Sequence, residues 1–240
     1  MINTTDLAAA AIVLLAGLVR GTTGFGGAML MTPVLSLLIG PVPAVVTALI
    51  LETVVALIVF PQALPIVNWR TLAFLSVPAA FTVPIGGYFL LTLDPLVARK
   101  IIALVVILFS LLLLTGFRYA GKPRAATSIV LGSVVGVLLG ATSVGAPPVI
   151  LYLLSGPDPA AVTRANLTVF VTAISIFGLI MLAATGAIRT AHLPMLIALS
   201  AVYIAATWLG GKLFARLTDN GARRIALGFM LLIGIATLVA

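Results

Sequence analysis

The sequence predicts an all-α integral membrane protein built from two homologous repeats that are inverted relative to each other. Three observations indicate this fold class: few charged residues, apolar segments along the whole chain, and a repeated set of motifs. Of the 240 residues, 62% are hydrophobic and 8% are charged, whereas a soluble domain carries about 25% charged residues. No alternating strand pattern occurs, so the backbone is expected to satisfy its hydrogen bonds in the bilayer as helices.

The apolar segments form two sets of five, separated by polar or Gly/Pro-rich breaks. The first set covers 6–20, 28–39, 44–61, 70–91 and 96–117. The second set covers 127–140, 147–155, 160–185, 192–214 and 222–239. A membrane span needs about 20 apolar residues, or about 17 when short. The first two pieces of each set are therefore expected to be too short to cross the bilayer separately with ease.

Short motifs recur at matching places in the two sets. GPVPAVVT at 40–47 returns as GPDPAAVT at 156–163, a match too detailed for hydrophobic composition alone. GLVRGTTGFGGA at 17–28 aligns with GVLLGATSVGAP at 136–147. The recurrence of these motifs indicates two copies of one membrane unit. Duplicated halves of this kind are common in secondary transporters.

The domain boundaries and the loop charges predict how the two copies are arranged. We expect one membrane domain over 1–240, divided into a first repeat at 1–117, a basic linker at 118–126 and a second repeat at 127–240. If each Gly-rich break is the tip of a re-entrant hairpin, each repeat adds three transmembrane helices and the second repeat is inverted. Most basic loop residues then share one side, as the positive-inside rule favours, and both termini lie outside.

The breaks GTTGFGG at 21–27 and GATSVGA at 140–146 form the candidate binding site. Irregular backbone at membrane depth must be buried by protein or line a cavity, and a helix N-terminus offers an anion free N–H groups and partial positive charge. Pro147 and Pro148 fit the first turn of such a helix. Two tips are thus expected to enclose one small anion near the midplane. The candidate ligands are Thr22, Thr23, Gly24, Phe25, Gly26, Gly27 and Ala28 in the first tip, and Thr142, Ser143, Val144, Gly145 and Ala146 in the second.

Some of the nearby glycines have a packing interpretation instead. Gly17 and Gly21 are four residues apart, as are Gly132, Gly136 and Gly140, and such small-xxx-small faces allow close helix contact. We assign Gly17, Gly132 and Gly136 to packing. The clusters TTGFGG and TSVGAPP combine helix-breaking residues with hydroxyl groups, which favours a site.

Three polar residues inside apolar segments are further candidates. Glu52 lies about 13 Å beyond Pro43 along a helix, near the middle of the bilayer core, where a carboxylate suggests a function. It is expected either to couple proton movement or to form an ion pair with Arg20. Arg20 could also complement the anion or snorkel to an interface. Asn166 could line the cavity or hydrogen-bond to a neighbouring helix.

Composition argues against several other classes of protein. The chain has no cysteine and a single histidine, His192, so neither a cofactor nor a metal site is expected. The net charge of +8 is explained by basic cytoplasmic loops, and nucleic-acid binding is not expected. A membrane enzyme acting on lipid-linked phosphates needs convergent acids, bases or metal ligands, whereas only Glu52 is a deep carboxylate. A passive anion channel shares nearly every feature with a carrier.

Together these motifs carry a family resemblance. RGTTGFGGAMLMTPVL with AVVTALILE, and GATSVGAPPVILYLLSG with AVTRANL, resemble the sulfite exporter TauE/SafE family, also described as a 4-toluene sulfonate uptake permease family. The resemblance covers essentially the whole chain, although Ala146 stands where the family usually has glycine. It matches Gly21, Gly24, Gly26 and Pro33 to the first signature, and Gly140, Gly145, Pro147 and Pro148 to the second.

The resemblance implies a multi-pass protein of the cell membrane, here the bacterial inner membrane, that moves a small anion such as sulfite, thiosulfate or sulfoacetate. The expected mechanism is alternating access between the two halves. Proton coupling and a homodimer are further expectations, and no enzymatic activity is expected.

Overall fold

The computed structural model describes residues 3–116, 119, 124–156, 158–188, 193–214 and 219–240. These residues form ten α-helices and no strand, which confirms the all-α prediction. Seven of the helices are long and apolar enough to cross a membrane, so the chain is a multi-pass membrane protein. Most of the predicted basic linker and His192 lie outside the described residues.

The first half of the chain contributes five helices. They are α1 (Thr4–Thr23), α2 (Gly27–Ile39), α3 (Pro41–Ala63), α4 (Trp69–Thr92) and α5 (Pro95–Leu114), with a 3-10 turn at Leu64–Ile66 after α3. Side-chain caps explain where α4 and α5 begin. Asn68 accepts a hydrogen bond from the N–H of Thr71 at 3.2 Å, and Asp94 accepts one from the N–H of Leu96 at 2.8 Å.

The second half repeats this order of elements. Its helices are α6 (Ala125–Thr142), α7 (Ala146–Leu153), α8 (Ala160–Ala184), α9 (Leu193–Phe214) and α10 (Asp219–Val239). Each predicted break is short, since only 24–26 and 143–145 separate the flanking helices. Pro147 and Pro148 lie in the first turn of α7, as predicted.

The prediction that the pieces beside each break are too short to cross separately is wrong for α1 and α6. They contain 20 and 18 residues and are long enough to span a bilayer. Both helices continue through threonine residues whose hydroxyl groups form hydrogen bonds with backbone carbonyl groups of the same helix. The hydroxyl of Thr23 lies 2.8 Å from the carbonyl oxygen of Val19, and that of Thr142 lies 2.7 Å from the carbonyl oxygen of Leu138. The helices α2 and α7, with 13 and 8 residues, remain shorter than a span.

Helix packing joins the two halves of the chain through four principal pairs. The helix α4 packs along α6, and α1 packs along α9. The helices α3 and α8 pack together, as do α5 and α10. If α1–α5 are matched in order with α6–α10, then α4 corresponds to α9 and α6 corresponds to α1. The contact of α4 with α6 is therefore equivalent to the contact of α9 with α1. The other two contacts, of α3 with α8 and of α5 with α10, each join a helix to its own counterpart.

Glycines make the close contact between α4 and α6. A Cβ atom added to Gly132, Gly136 or Gly140 would overlap a carbonyl oxygen of α4. The overlapping carbonyl groups belong to Leu75, Ala79 and Val83, respectively. The packing role predicted for Gly132 and Gly136 is therefore confirmed, and α4 and α6 run parallel because both residue numbers increase along the contact.

The equivalent contact between α1 and α9 uses the matching residues. A Cβ atom on Gly21 would overlap the carbonyl oxygen of Thr207, and one on Gly17 would lie 2.6 Å from the Cβ of Ala206. Gly210 in turn lies against the carbonyl group of Leu18. The predicted packing role of Gly17 is confirmed, and Gly21 has the same role.

Two sets of contacts define the directions of the remaining helices. Asn68, beyond the end of α3, bonds to Asn166 near the start of α8, while Gly178 further along α8 lies beside Leu49 of α3. These two helices are therefore antiparallel. The hydroxyl of Tyr152 near the end of α7 lies 2.7 Å from the hydroxyl of Ser128 in the first turn of α6. The end of α7 thus lies beside the start of α6.

Candidate functional site

The two breaks meet around a small buried cavity. It is lined on one side by Arg20, Gly26, Ala28 and Glu52, and on the other by 143–147 with Val171 and Ser175 of α8. The hydroxyl of Ser143 also lies 2.8 Å from that of Thr32 on α2. The cavity volume is about 20 Å³, which is room for roughly one water molecule.

Glycine and threonine shape the first break. Gly24 and Gly26 have φ angles of 78° and 93°, a region that glycine adopts without steric cost. The side chain of Arg20 donates to the carbonyl group of Gly24. The hydroxyls of Thr22 and Thr23 each lie 2.8 Å from the carbonyl oxygen of Val19. These two hydroxyls, predicted as anion ligands, therefore bond to the backbone of α1.

The carboxylate of Glu52 occupies the N-terminus of α2. One carboxylate oxygen accepts from the N–H of Ala28 at 3.0 Å and from the hydroxyl of Tyr203 at 2.7 Å. The other lies 3.1 Å from Nε of Arg20. The expectation that the N–H of Ala28 is free for an external anion is thus wrong in this structure, because this N–H already donates to the Glu52 carboxylate.

The Arg20–Glu52 pair is buried, since only 8% of Arg20 and 6% of Glu52 are exposed. Of the roles considered for Arg20, the ion pair is the one observed, and snorkelling to an interface is wrong. A buried ion pair is tolerated when further hydrogen bonds satisfy its atoms, which Ala28 and Tyr203 do. Gly27 is needed for this contact, because its Cβ would overlap the Tyr203 hydroxyl.

The second break has a different local geometry. Ser143 has a φ of 60° and ends α6, where its N–H donates to Leu139 at 2.8 Å. The N–H of Val144 donates to the hydroxyl of Thr142 at 3.2 Å. The N–H groups of Gly145 and Ala146 make no hydrogen bond to any residue that the structure describes. Two of the predicted backbone donors, on residues that line the cavity, therefore lack an acceptor in the described part of the protein.

The two breaks therefore differ in their charged groups. In the alignment of the repeats, the counterpart of Arg20 is Leu139 and the counterpart of Glu52 is Thr168. Only the first break has a carboxylate at its helix N-terminus, so the cavity has one charged wall and one wall of backbone and hydroxyl groups.

Asn166 lies away from this cavity. Its side-chain oxygen accepts from the N–H of Asn68 at 2.8 Å, and the side chain of Asn68 lies 3.5 Å from Asp158. Asn166 is thus an interhelical hydrogen-bonding residue, which was the alternative interpretation of the sequence. Its place near the start of α8 puts it more than a helical turn before Val171, which does line the cavity.

Sequence reasoning missed three polar residues of the site region. Tyr203 on α9, Ser175 on α8 and Thr32 on α2 all lie in apolar helices, where hydroxyl groups commonly serve helix packing. No local pattern distinguishes them, because each makes its contact with a residue far away in the sequence or lines the cavity from a separate helix.

Two broken helices that meet at a buried charged cavity inside a helical bundle are typical of membrane transporters. The chain matches the family described as sulfite exporter TauE/SafE over residues 9–237, and it belongs to that family. Membership in this family indicates a transporter of sulfur-containing anions. No curated protein and no solved structure was found to match the chain.

Proposed function

We propose that the protein is a secondary transporter that moves a small sulfur-containing oxyanion or organosulfonate across the cell membrane by alternating access. Sulfite, thiosulfate and sulfoacetate represent this substrate class. The observation that carries the proposal is the cavity between the two breaks, which is lined by Arg20 and by the N-terminus of α7.

The donors around the cavity suit an oxyanion. A guanidinium group presents several N–H donors in a plane that matches the oxygens of carboxylate or sulfonate groups. The N–H groups of Gly145 and Ala146 add donors at a helix N-terminus, where partial positive charge favours an anion. Of the candidate ligands, Arg20 and the second break therefore have the strongest support.

The size of the cavity supports an alternating-access mechanism. A volume of about 20 Å³ is too small for an anion with four or more heavy atoms, because it is close to the minimum for a single water molecule. We therefore propose that the breaks move apart to admit substrate. The glycine contacts keep α1 with α9 and α4 with α6, so these pairs are suited to move as rigid units around the site.

The packing also supports two inverted repeats with re-entrant hairpins. Helices α3 and α8 are counterparts in the alignment and run antiparallel, as an inverted pair must. Tyr152 contacts the first turn of α6, which is the contact expected when α6 and α7 form a hairpin. With three further helices per half, both chain ends are then on the outer side.

Cysteine labelling tests this topology, because the chain has no native cysteine. We expect Ala125→Cys and Pro159→Cys to be labelled from the same side of the membrane, since α6 and α7 return to the side where they began. Leu96→Cys is expected on the opposite, outer side. If Pro159→Cys instead reacts from the outside while Ala125→Cys stays protected from an impermeant reagent, the second broken segment crosses the membrane and the hairpin is wrong.

Transport by purified protein in lipid vesicles tests the proposed function. We expect saturable uptake of sulfite, thiosulfate or sulfoacetate, with accumulation above the external concentration when a proton gradient or membrane potential is imposed. Protein-free vesicles are the control. Flux that is only downhill and does not saturate would favour a passive channel, and absence of flux for all three anions would contradict the proposal.

Three finer statements accompany this proposal. Glu52 is the group proposed to couple anion movement to protons, because it is the carboxylate in contact with the cavity. Location in a bacterial inner membrane and assembly as a homodimer stay predictions.

A membrane enzyme acting on lipid-linked phosphates is a weaker alternative, since the cavity contains one carboxylate and no histidine among the residues described.

A further inference from the structure

The Glu52 carboxylate makes the same kinds of contact that a transported oxyanion would make. It accepts from a backbone N–H at the start of α2 and from the Tyr203 hydroxyl, and it pairs with Arg20. Arg20 on α1 and Tyr203 on α9 are the titratable groups that face it. The helices α2 and α8 contribute only uncharged residues to the cavity. The charge of this wall is therefore decided by Arg20 and Glu52 alone.

The opposite wall of the cavity contains donors without a protein acceptor. The N–H groups of Gly145 and Ala146 have no acceptor among the described residues. The side chain of Ser175 lines the same wall, is only 1% exposed, and forms no hydrogen bond within the described part of the chain. A polar ligand in the cavity would give this hydroxyl a hydrogen-bond partner.

We infer that Glu52 is a tethered competitor of the transported anion, and that the anion binds between Arg20 and the second break by displacing the Glu52 carboxylate from Arg20. Ser175, Gly145 and Ala146 complete the anion site. This inference rests on the proposed transport function and deepens it by naming what occupies Arg20 when substrate is absent.

The charges of Arg20, Glu52 and the bound anion indicate the charge of the preferred substrate and the coupling of its binding to proton uptake. With Glu52 ionised, Arg20 is already neutralised, and a second anion in a poorly solvated cavity is strongly disfavoured. When Glu52 takes up one proton, the cavity carries the single positive charge of Arg20 and accepts one negative charge. Within the proposed substrate class, a monovalent anion such as hydrogen sulfite or an alkylsulfonate is therefore preferred over the divalent thiosulfate and sulfoacetate. Anion and proton must also increase each other's affinity by the same factor, because binding linkage is reciprocal.

Binding of methanesulfonate to the purified protein tests this inference, because this probe stays monovalent throughout the accessible pH range. For the wild type, we expect the affinity for methanesulfonate to fall as the pH rises, by up to about tenfold per pH unit, because one proton is taken up with each anion. Glu52→Gln cannot ionise, so it is expected to bind methanesulfonate at all pH values as tightly as the acidic wild type does.

Tyr203→Phe provides a second test that leaves both charges in place. Removal of the hydroxyl takes away one hydrogen bond to the Glu52 carboxylate and leaves the proposed substrate ligands in place, so the carboxylate competes less strongly with the anion. We therefore expect roughly tenfold tighter methanesulfonate binding in this variant. A residue with a merely structural role would weaken binding when altered.

The possible results separate this inference from the proposed function. If the wild type transports anions but Glu52→Gln and Tyr203→Phe bind methanesulfonate no more tightly at neutral pH, Glu52 is not a competitor and the inference is wrong. If the wild type transports none of the sulfur anions, the proposed function itself is wrong. Should Glu52→Gln fail to fold, methanesulfonate binding by Tyr203→Phe alone tests the inference, while transport by the wild type tests the proposed function.

Discussion

Replacement of Arg20 by methionine is expected to abolish anion transport and to destabilise the protein by about 3–5 kcal/mol, because it leaves the buried Glu52 carboxylate without its partner. Methionine retains much of the side-chain length, so loss of packing contributes little. The free energy of unfolding and vesicle uptake measured on the same preparation would report the two effects separately.

The double variant Arg20→Met/Glu52→Gln identifies the source of each effect. It has no buried charge, and the glutamine oxygen can still accept from Ala28 and Tyr203, so we expect most of the stability to return. Transport should stay absent, since the guanidinium group that binds the anion is gone. Arg164→Met, at an exposed position on α8, is the matched control and should change stability by less than about 0.5 kcal/mol. Saturable transport in Arg20→Met would contradict the proposed site.

Replacement of Gly140 by alanine is expected to destabilise the protein by about 1–3 kcal/mol, because one added methyl group would overlap the backbone of α4. The overlapping atom is the carbonyl oxygen of Val83, which cannot move aside by rotation of a side chain. The helices α4 and α6 would have to separate, and the second break would move with α6. Thermal unfolding of the purified variant measures the effect.

Gly228→Ala on α10 is the control for this substitution. No atom lies within 4 Å of a Cβ added there, so the preference of helices for alanine should leave stability unchanged or raise it by up to about 1 kcal/mol. Gly21→Ala at the equivalent contact should resemble Gly140→Ala. Equal stability of the Gly140 and Gly228 variants would contradict the close packing of α4 and α6.

The helices were largely predictable because bilayer insertion depends on composition and segment length. Every apolar segment named from the sequence corresponds to one helix, and both breaks lie where glycine and proline cluster. The ends of α1 and α6 were missed because the hydropathy pattern stops at polar residues. Threonine hydroxyls that bond back to the same helix keep such residues helical, and this bonding leaves no trace in an apolar pattern.

The candidate site was only partly predictable, because its contacts join residues far apart in sequence. The two breaks and Arg20 were identified from local features, namely helix-breaking residues and a charge in an apolar segment. The position of Asn166 was not, since a polar residue on a helix gives no information on which neighbour it contacts. Tyr203 is separated from Glu52 by 151 positions, so no local pattern links them.

The sequence by itself determined that this protein is a helical membrane protein with two glycine-rich breaks, and its recurring motifs predict two similar halves. Those properties follow from transfer free energies and backbone conformational preferences, which are local. Only the tertiary structure decided that Glu52 lies at the N-terminus of α2, whereas two N–H groups at the N-terminus of α7 have no acceptor among the described residues. A buried charge pairs with the polar groups that lie within hydrogen-bonding distance. Which groups lie there depends on how all the helices of the bundle pack.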